Sequence, residues 1–146
     1  MSLNWPKPGL NNVPSYLVSG IPYVTRSAVD EVPSHGVDNY IKVSFPFVTR
    51  FFHVACDSSS TGNLRFAFTE NGLLDPTGSY SATGNVRNYF SLRKGEETPR
   101  LDIRCTDIYF AGDAGVSTFE VVAGMTNIPR DQMGFLTGSN GFEGVG

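Results

Sequence analysis

The sequence predicts an all-β protein, an eight-stranded antiparallel sandwich with the single jelly roll as its leading arrangement. Three observations point there. Short runs of alternating apolar and polar residues recur from residue 16 to about residue 123, separated by turn signals. Between them no stretch carries the apolar spacing of an amphipathic helix. The composition agrees: eleven Phe and six Tyr favour strands, and sixteen Gly with nine Pro supply the corners such a fold needs.

Taken in order, residues 1–14 read as an extended arm, because Pro6, Pro8 and Pro14 withhold backbone donors and constrain the residues before them. Trp5, the one tryptophan, lies in this arm and needs a cover, either from its own domain or from a neighbouring subunit. Strands are expected over 16–19 and 21–26, kinked at Gly20 and Pro22. A polar loop follows to residue 39, with 32–36 as its turn core. Residues 40–45 alternate, with Ile41, Val43 and Phe45 on one face and Lys42 and Ser44 on the other. Pro46 then interrupts the ladder and separates this strand from 47–56. That strand is the most apolar, and adjacent Phe51 and Phe52 imply that both its faces are covered, one by the core and one by a subunit contact.

Residues 57–63 form a Ser-rich loop, and 64–69 alternates again with Leu64, Phe66 and Phe68 inward. The longest loop is expected over 70–85, where turn dipeptides cluster. A strand over 89–93 turns at 94–97. Residues 100–110 hold two apolar phases, Leu101/Ile103/Cys105 and Ile108/Phe110, and the parity change at Thr106-Asp107 predicts a β-bulge. A turn at 112–115 leads into the last strand, 117–123. Residues 15–129 thus form the jelly-roll domain and 130–146 a Gly-rich tail without periodicity. The core is expected to hold Ile41, Val43, Phe45, Phe52, Val54, Leu64, Phe66, Phe68, Phe90, Leu92, Leu101, Ile103 and Val121.

With 146 residues the chain is one domain, able to hide on the order of 70% of its unfolded surface. Eleven basic against fourteen acidic residues give a net charge of −3, and Arg50, Arg65, Arg87, Arg93 and Arg104 are scattered one per strand region. No basic patch tracks a phosphate backbone, so no direct nucleic-acid contact is expected. No apolar run approaches the length of a membrane span, the first residues lack the apolar core of a signal peptide, and no Asn-x-Ser/Thr sequon occurs. A cytoplasmic product fits. Cys56 and Cys105 each end an alternating apolar run, which predicts buried free thiols; a disulfide between them is geometrically possible and not readable from sequence.

No constellation carrying chemistry accompanies the strand ladder. His35 and His53 lack a second ligand at the short spacing a zinc site uses, and neither stands in a nucleophile pattern. Asp30-Glu31 and Glu96-Glu97 have the residue type of glycosidase carboxylates but sit in charged turns. Asp57 and Asp113 lack the oxygen spacing of a calcium loop. Neither catalytic nor metal-binding residues are expected, and no cofactor. The remaining functional currency is aromatic: Tyr16, Tyr23, Tyr80 and Tyr89 suit either a sugar platform or a protein interface, the latter being commoner in a sandwich that associates. Trp5, Tyr16, Tyr23, Phe47 and Phe51 are the candidate interface residues.

Four stretches together resemble the small single jelly-roll capsid proteins that form pentameric vertices (pentons) of large icosahedral DNA viruses. They are Val18-Ser19-Gly20-Ile21-Pro22-Tyr23-Val24-Thr25, Phe45-Pro46-Phe47-Val48-Thr49-Arg50-Phe51-Phe52, Leu64-Arg65-Phe66-Ala67-Phe68-Thr69-Glu70-Asn71-Gly72 and Val121-Val122-Ala123-Gly124-Met125-Thr126-Asn127-Ile128-Pro129. The resemblance covers roughly residues 14–130 and contains no chemical signature. It implies two four-stranded sheets, no enzymatic activity, assembly in the host cytoplasm, and a place in the virion capsid. There a homo-oligomer of five copies would close a ring beside neighbouring capsid proteins. A lectin-like carbohydrate-binding sandwich shares the fold class and the loop aromatics, and the strand count fits a trimeric cytokine-like or fibre-head module.

Overall fold

The computed structural model describes residues 20–36, 39–73 and 88–134. The described residues form seven strands in two sheets. These are β1 (Ile21–Arg26), β2 (Ile41–Ser44), β3 (Phe47–Cys56), β4 (Asn63–Ala67), β5 (Phe90–Leu92), β6 (Asp107–Asp113) and β7 (Phe119–Pro129). One helical turn, α1 (Glu70–Leu73), follows β4, and a 3₁₀ turn at Arg130–Gln132 follows β7. The first sheet has the order β1-β7-β3 and the second β2-β6-β4-β5, with every pairing antiparallel.

The chain changes sheet at four of the six connections between consecutive strands, and the local sequence shows why at three of them. Pro46 withholds a ladder donor between β2 and β3, so the strand ends and the chain crosses to the other layer. At Asp57 the carboxylate accepts both the N–H (2.8 Å) and hydroxyl (2.7 Å) of Ser59, an Asx turn that carries β3 back towards β4. Between β6 and β7 the backbone passes through positive φ at Ala114 (59°) and Gly115 (145°). Gly112 packs so tightly beneath this corner that a Cβ there would lie 1.8 Å from the Gly115 carbonyl oxygen.

The two sheets face each other across one core. Phe52 of β3 meets Phe66 of β4 edge-on with centroids 6.3 Å apart, and Phe110 of β6 stacks on Phe119 of β7 at 4.2 Å. Val43, Phe45, Phe52, Val54, Leu64, Phe66, Leu92 and Val121 are buried here as the alternation predicts. Each such side chain contributes about 1.5–3 kcal/mol relative to leaving it in water. Ile41, Phe68 and Leu101 pack against this core and are only half-buried.

Several expectations are corrected. The strand expected over 16–19 lies outside the described residues, as does most of the expected 70–85 loop, whose first residues form α1 rather than loop. Thr69 explains the turn: its hydroxyl accepts the Gly72 N–H at 3.0 Å and caps the first turn. Phe90 (56% exposed) and Ile103 (39%) are not core residues. Phe90 sits on the three-residue edge strand β5, where alternation still holds but no further strand follows it in the sheet order.

Residues 100–110 are not one bulged strand. The first phase leans on β3 through bridges at Ala55–Glu97 and Phe52–Leu101, and the second begins β6 in the other sheet. The parity change at Thr106-Asp107 therefore marks a change of layer. Residues 97–105 stay irregular because Pro99 interrupts the ladder and threonine side chains replace backbone partners. The Thr98 hydroxyl accepts the Val54 N–H at 3.0 Å, and the Thr49 hydroxyl accepts the Cys105 N–H at 2.9 Å. The register irregularity falls instead in β3, between Phe47 and Phe51 opposite β7. β7 itself runs six residues past the expected end at 123, because it is the central strand with β1 and β3 on its two edges.

Candidate assembly surfaces

Pleating sorts the first sheet into rungs. Tyr23, Ala123 and Phe52 are register partners that point into the core; the next rung, Val24, Val122 and His53, points outward. Val24 is 72% exposed and Val122 is 44% exposed, so two β-branched apolar side chains stand side by side in solvent. One rung along, Phe51 lies opposite Gly124, and the Arg100 guanidinium covers its ring at 4.1 Å from the centroid. The polar groups around this strip are mutually paired. His53 Nε2 is 3.3 Å from Glu97, Arg26 pairs with Glu120 at 3.1 Å and with Asp57, and Arg100 pairs with Asp102. An apolar strip inside a rim of satisfied charges can lose its water against another surface without stranding an ion.

The outer face of the second sheet is built differently. A second apolar cluster of Ala67, Leu73 and Ala111 lies there, with Tyr40, Tyr89 and Tyr109 packed against it. Arg65, at an outward position of β4, is 2% exposed. Its guanidinium donates to the Leu73 carbonyl at 2.9 Å, pairs with Asp113 and stacks over the Tyr89 ring at 4.0 Å. Tyr40, just before β2, donates to Glu70 at 3.2 Å and so also holds α1.

At the sheet's far edge Asp107 accepts from Ser44 (2.7 Å), Thr106 (3.0 Å) and Arg130 (3.0 and 3.1 Å), with Lys42 at 3.5 Å. Burial works to raise the Asp107 carboxyl, but these hydrogen bonds and the Lys42 charge outweigh it and hold it below the ordinary carboxylate range. Burial likewise works to lower Lys42, and Tyr109 with Asp107 outweighs it and raises the ammonium above its usual value. Arg130 also donates to the Phe45 carbonyl at 3.3 Å, which fastens the start of the C-terminal segment to the end of β2 as well as to Asp107 of β6.

Of the five candidate interface residues, Trp5 and Tyr16 lie outside the described residues. Tyr23 turns inward, its ring edge-on to Phe45 at 4.9 Å, and Phe47 packs against the same core. Of the three that are described, Phe51 alone lies on an outer face. The structure does not bring the five together as one described surface. Tyr80 is outside the described residues, and Tyr89 is half-buried beneath Arg65. Both cysteines are buried and unlinked, and burial pushes the Cys105 thiol up to about 12 despite its Thr49 contact.

The acidic pairs are turn residues. Asp30 accepts the Thr61 N–H and hydroxyl, each at 2.9 Å, and Glu96 accepts the Arg93 N–H at 2.8 Å. No group of three or more potential metal ligands occurs among the described residues, and no described helix is long and apolar enough to cross a membrane.

Sequence reasoning missed Val24 and Val122, and a signal for both was present. Val121-Val122 are adjacent apolar residues in a strand, as Phe51-Phe52 are, and Val24 shares a face with Pro22 and Arg26. Comparison with protein-family models, with curated proteins and with solved structures finds no match for this chain.

Proposed function

We propose that this protein is a structural capsid protein, a single jelly roll that self-assembles into the pentameric vertex of an icosahedral virus particle. The observation that carries the assembly reading is the outward rung Val24–Val122 with Phe51 beside it, an apolar strip on the outer face of the first sheet. The strand order supports the fold half of the reading. With 97–105 counted as a fourth member of the first layer, the layers run β1-β7-β3-(97–105) and β2-β6-β4-β5, the interleaving that nested Greek keys produce. The resemblance of the four sequence stretches to vertex proteins supplies the viral part. A ring of five uses two different patches of each subunit, so the strip is one half of a head-to-tail contact. In this reading the chain assembles in the host cytoplasm, resides in the virion beside other capsid proteins, and turns over no substrate.

Size-exclusion chromatography with light scattering tests it. A particle of five chains that persists on dilution is the expected result. A stable monomer at tens of micromolar overturns the reading, and a monomer that binds glycans transfers the fold to the lectin-like alternative. A trimer points to the fibre-head class.

A further inference from the structure

We propose that Arg65 is a positioning residue that clasps α1 and Tyr89 onto the second sheet, so that this outer layer opens and closes as one unit. The proposal is independent of the capsid reading. Arg65 is a charge at 2% exposure, and a buried guanidinium depends on the partners that its terminal nitrogens and its flat face do find. Three of its partners lie on three different segments. One arm of the fork reaches the Leu73 carbonyl at the end of α1, another reaches Asp113 at the end of β6, and the plane rests on Tyr89 just before β5. Residues 73 and 89 therefore meet at one side chain although they lie 16 positions apart in the sequence.

Opening α1 alone would take an acceptor from a buried cation, and moving Tyr89 alone would strip its flat face. Each loss is costly while the charge stays buried, so the two movements are coupled. The contacts of Leu73 with Ala67 and Ala111 lie in the same layer and are lost with it. Asp113 is the member that reaches solvent, its side chain 30% exposed, so it can be altered without touching the core.

Hydrogen–deuterium exchange on the full chain tests the clasp through Asp113→Asn, which keeps the shape and removes the partner charge. The amides of 70–73 and of 88–90 should exchange together, about tenfold faster than in the parent, while β3 and β7 amides stay within about threefold. If Asp113→Asn does not fold, Tyr89→Leu is read instead: it removes only the ring under the guanidinium and should still speed exchange at 70–73. Faster exchange in one segment alone, in neither, or equally throughout β3 and β7 overturns the proposal.

Discussion

The two outer faces of the sandwich follow the same alternation and end in opposite states. On the first sheet the outward rung holds Val24 and Val122, both apolar and both exposed. On the second sheet the outward positions include Arg65 and Lys42, yet Arg65 is buried, and Tyr109 between them is half-buried. Polarity therefore does not decide which outer face is covered. The connection after β4 does: it folds as α1 across the second sheet and brings Leu73 onto Ala67 and Ala111. A face with a crossing segment acquires its own small core and the paired charges that tolerate it. A face without one keeps whatever its strands present.

The largest expected effect breaks the covered face. Leu73→Ala removes the main apolar anchor of α1 and should cost about 2–3 kcal/mol in urea unfolding, since it leaves a cavity at a fully buried site. A cost under about 0.5 kcal/mol would show that the outer layer contributes no packing and that the contrast between the faces is superficial.

Asp107 gives the next effect and a pH dependence. Its folded carboxyl is held below the ordinary range, so its contribution is fully present above about pH 4 and is lost as pH falls through the lower folded value. Asp107→Asn should cost about 1 kcal/mol at pH 7, a value already reduced for partial exposure, and should flatten the fall of Tm between about pH 5 and pH 2. An acid limb as steep as the parent's would place the responsible carboxylate elsewhere.

A smaller effect belongs to the bare face. Val24→Thr with Val122→Thr keeps the branched shape and β-propensity, and should change monomer stability by less than about 0.5 kcal/mol. The same pair should weaken or abolish the oligomer in sedimentation velocity. An unchanged assembly would remove this strip from the interface and return the search to Trp5 and Tyr16. The smallest effect concerns the core the two faces share. Cys56 and Cys105 should resist alkylation in the native protein at pH 8, because Cys105 is pushed up to about 12 and both thiols are buried, and two free sulfhydryls should titrate after denaturation without reductant. A single labelled site in the native state would reveal an opening that reaches the core.

Much of the strand pattern was legible. The expected strands 21–26 and 47–56 coincide with β1 and β3, and Leu64, Phe66, Phe52 and Val54 lie inside as their parity requires. The candidate site was less so. Tyr23 and Phe47 read as surface aromatics, yet both pack inward: Tyr23 shares its rung with Phe52, and a register irregularity follows Phe47 in β3. Arg65 falls between the inward Leu64 and Phe66, and nothing in the local pattern marks it as buried. Its burial depends on α1, on Tyr89 and on Asp113, which is 48 positions away in the chain.

The sequence by itself determined the all-β class, the strand breaks at Pro46 and at the Asp57 turn, and the parity of Phe52, Val54, Leu64 and Phe66 along their strands. Proline, glycine, Asx turns and period-two hydrophobicity act over a few residues, and their consequences are written locally. The tertiary structure alone decided that 97–105 and β6 belong to different layers, that β7 continues to Pro129 as a central strand, and that α1 covers part of one outer face while no described segment crosses the Val24–Val122 rung of the other. Each of these depends on which distant segment supplies the neighbouring hydrogen bonds and apolar contacts. A side-chain period of two distinguishes two faces of a strand but carries no label for what will lie against either.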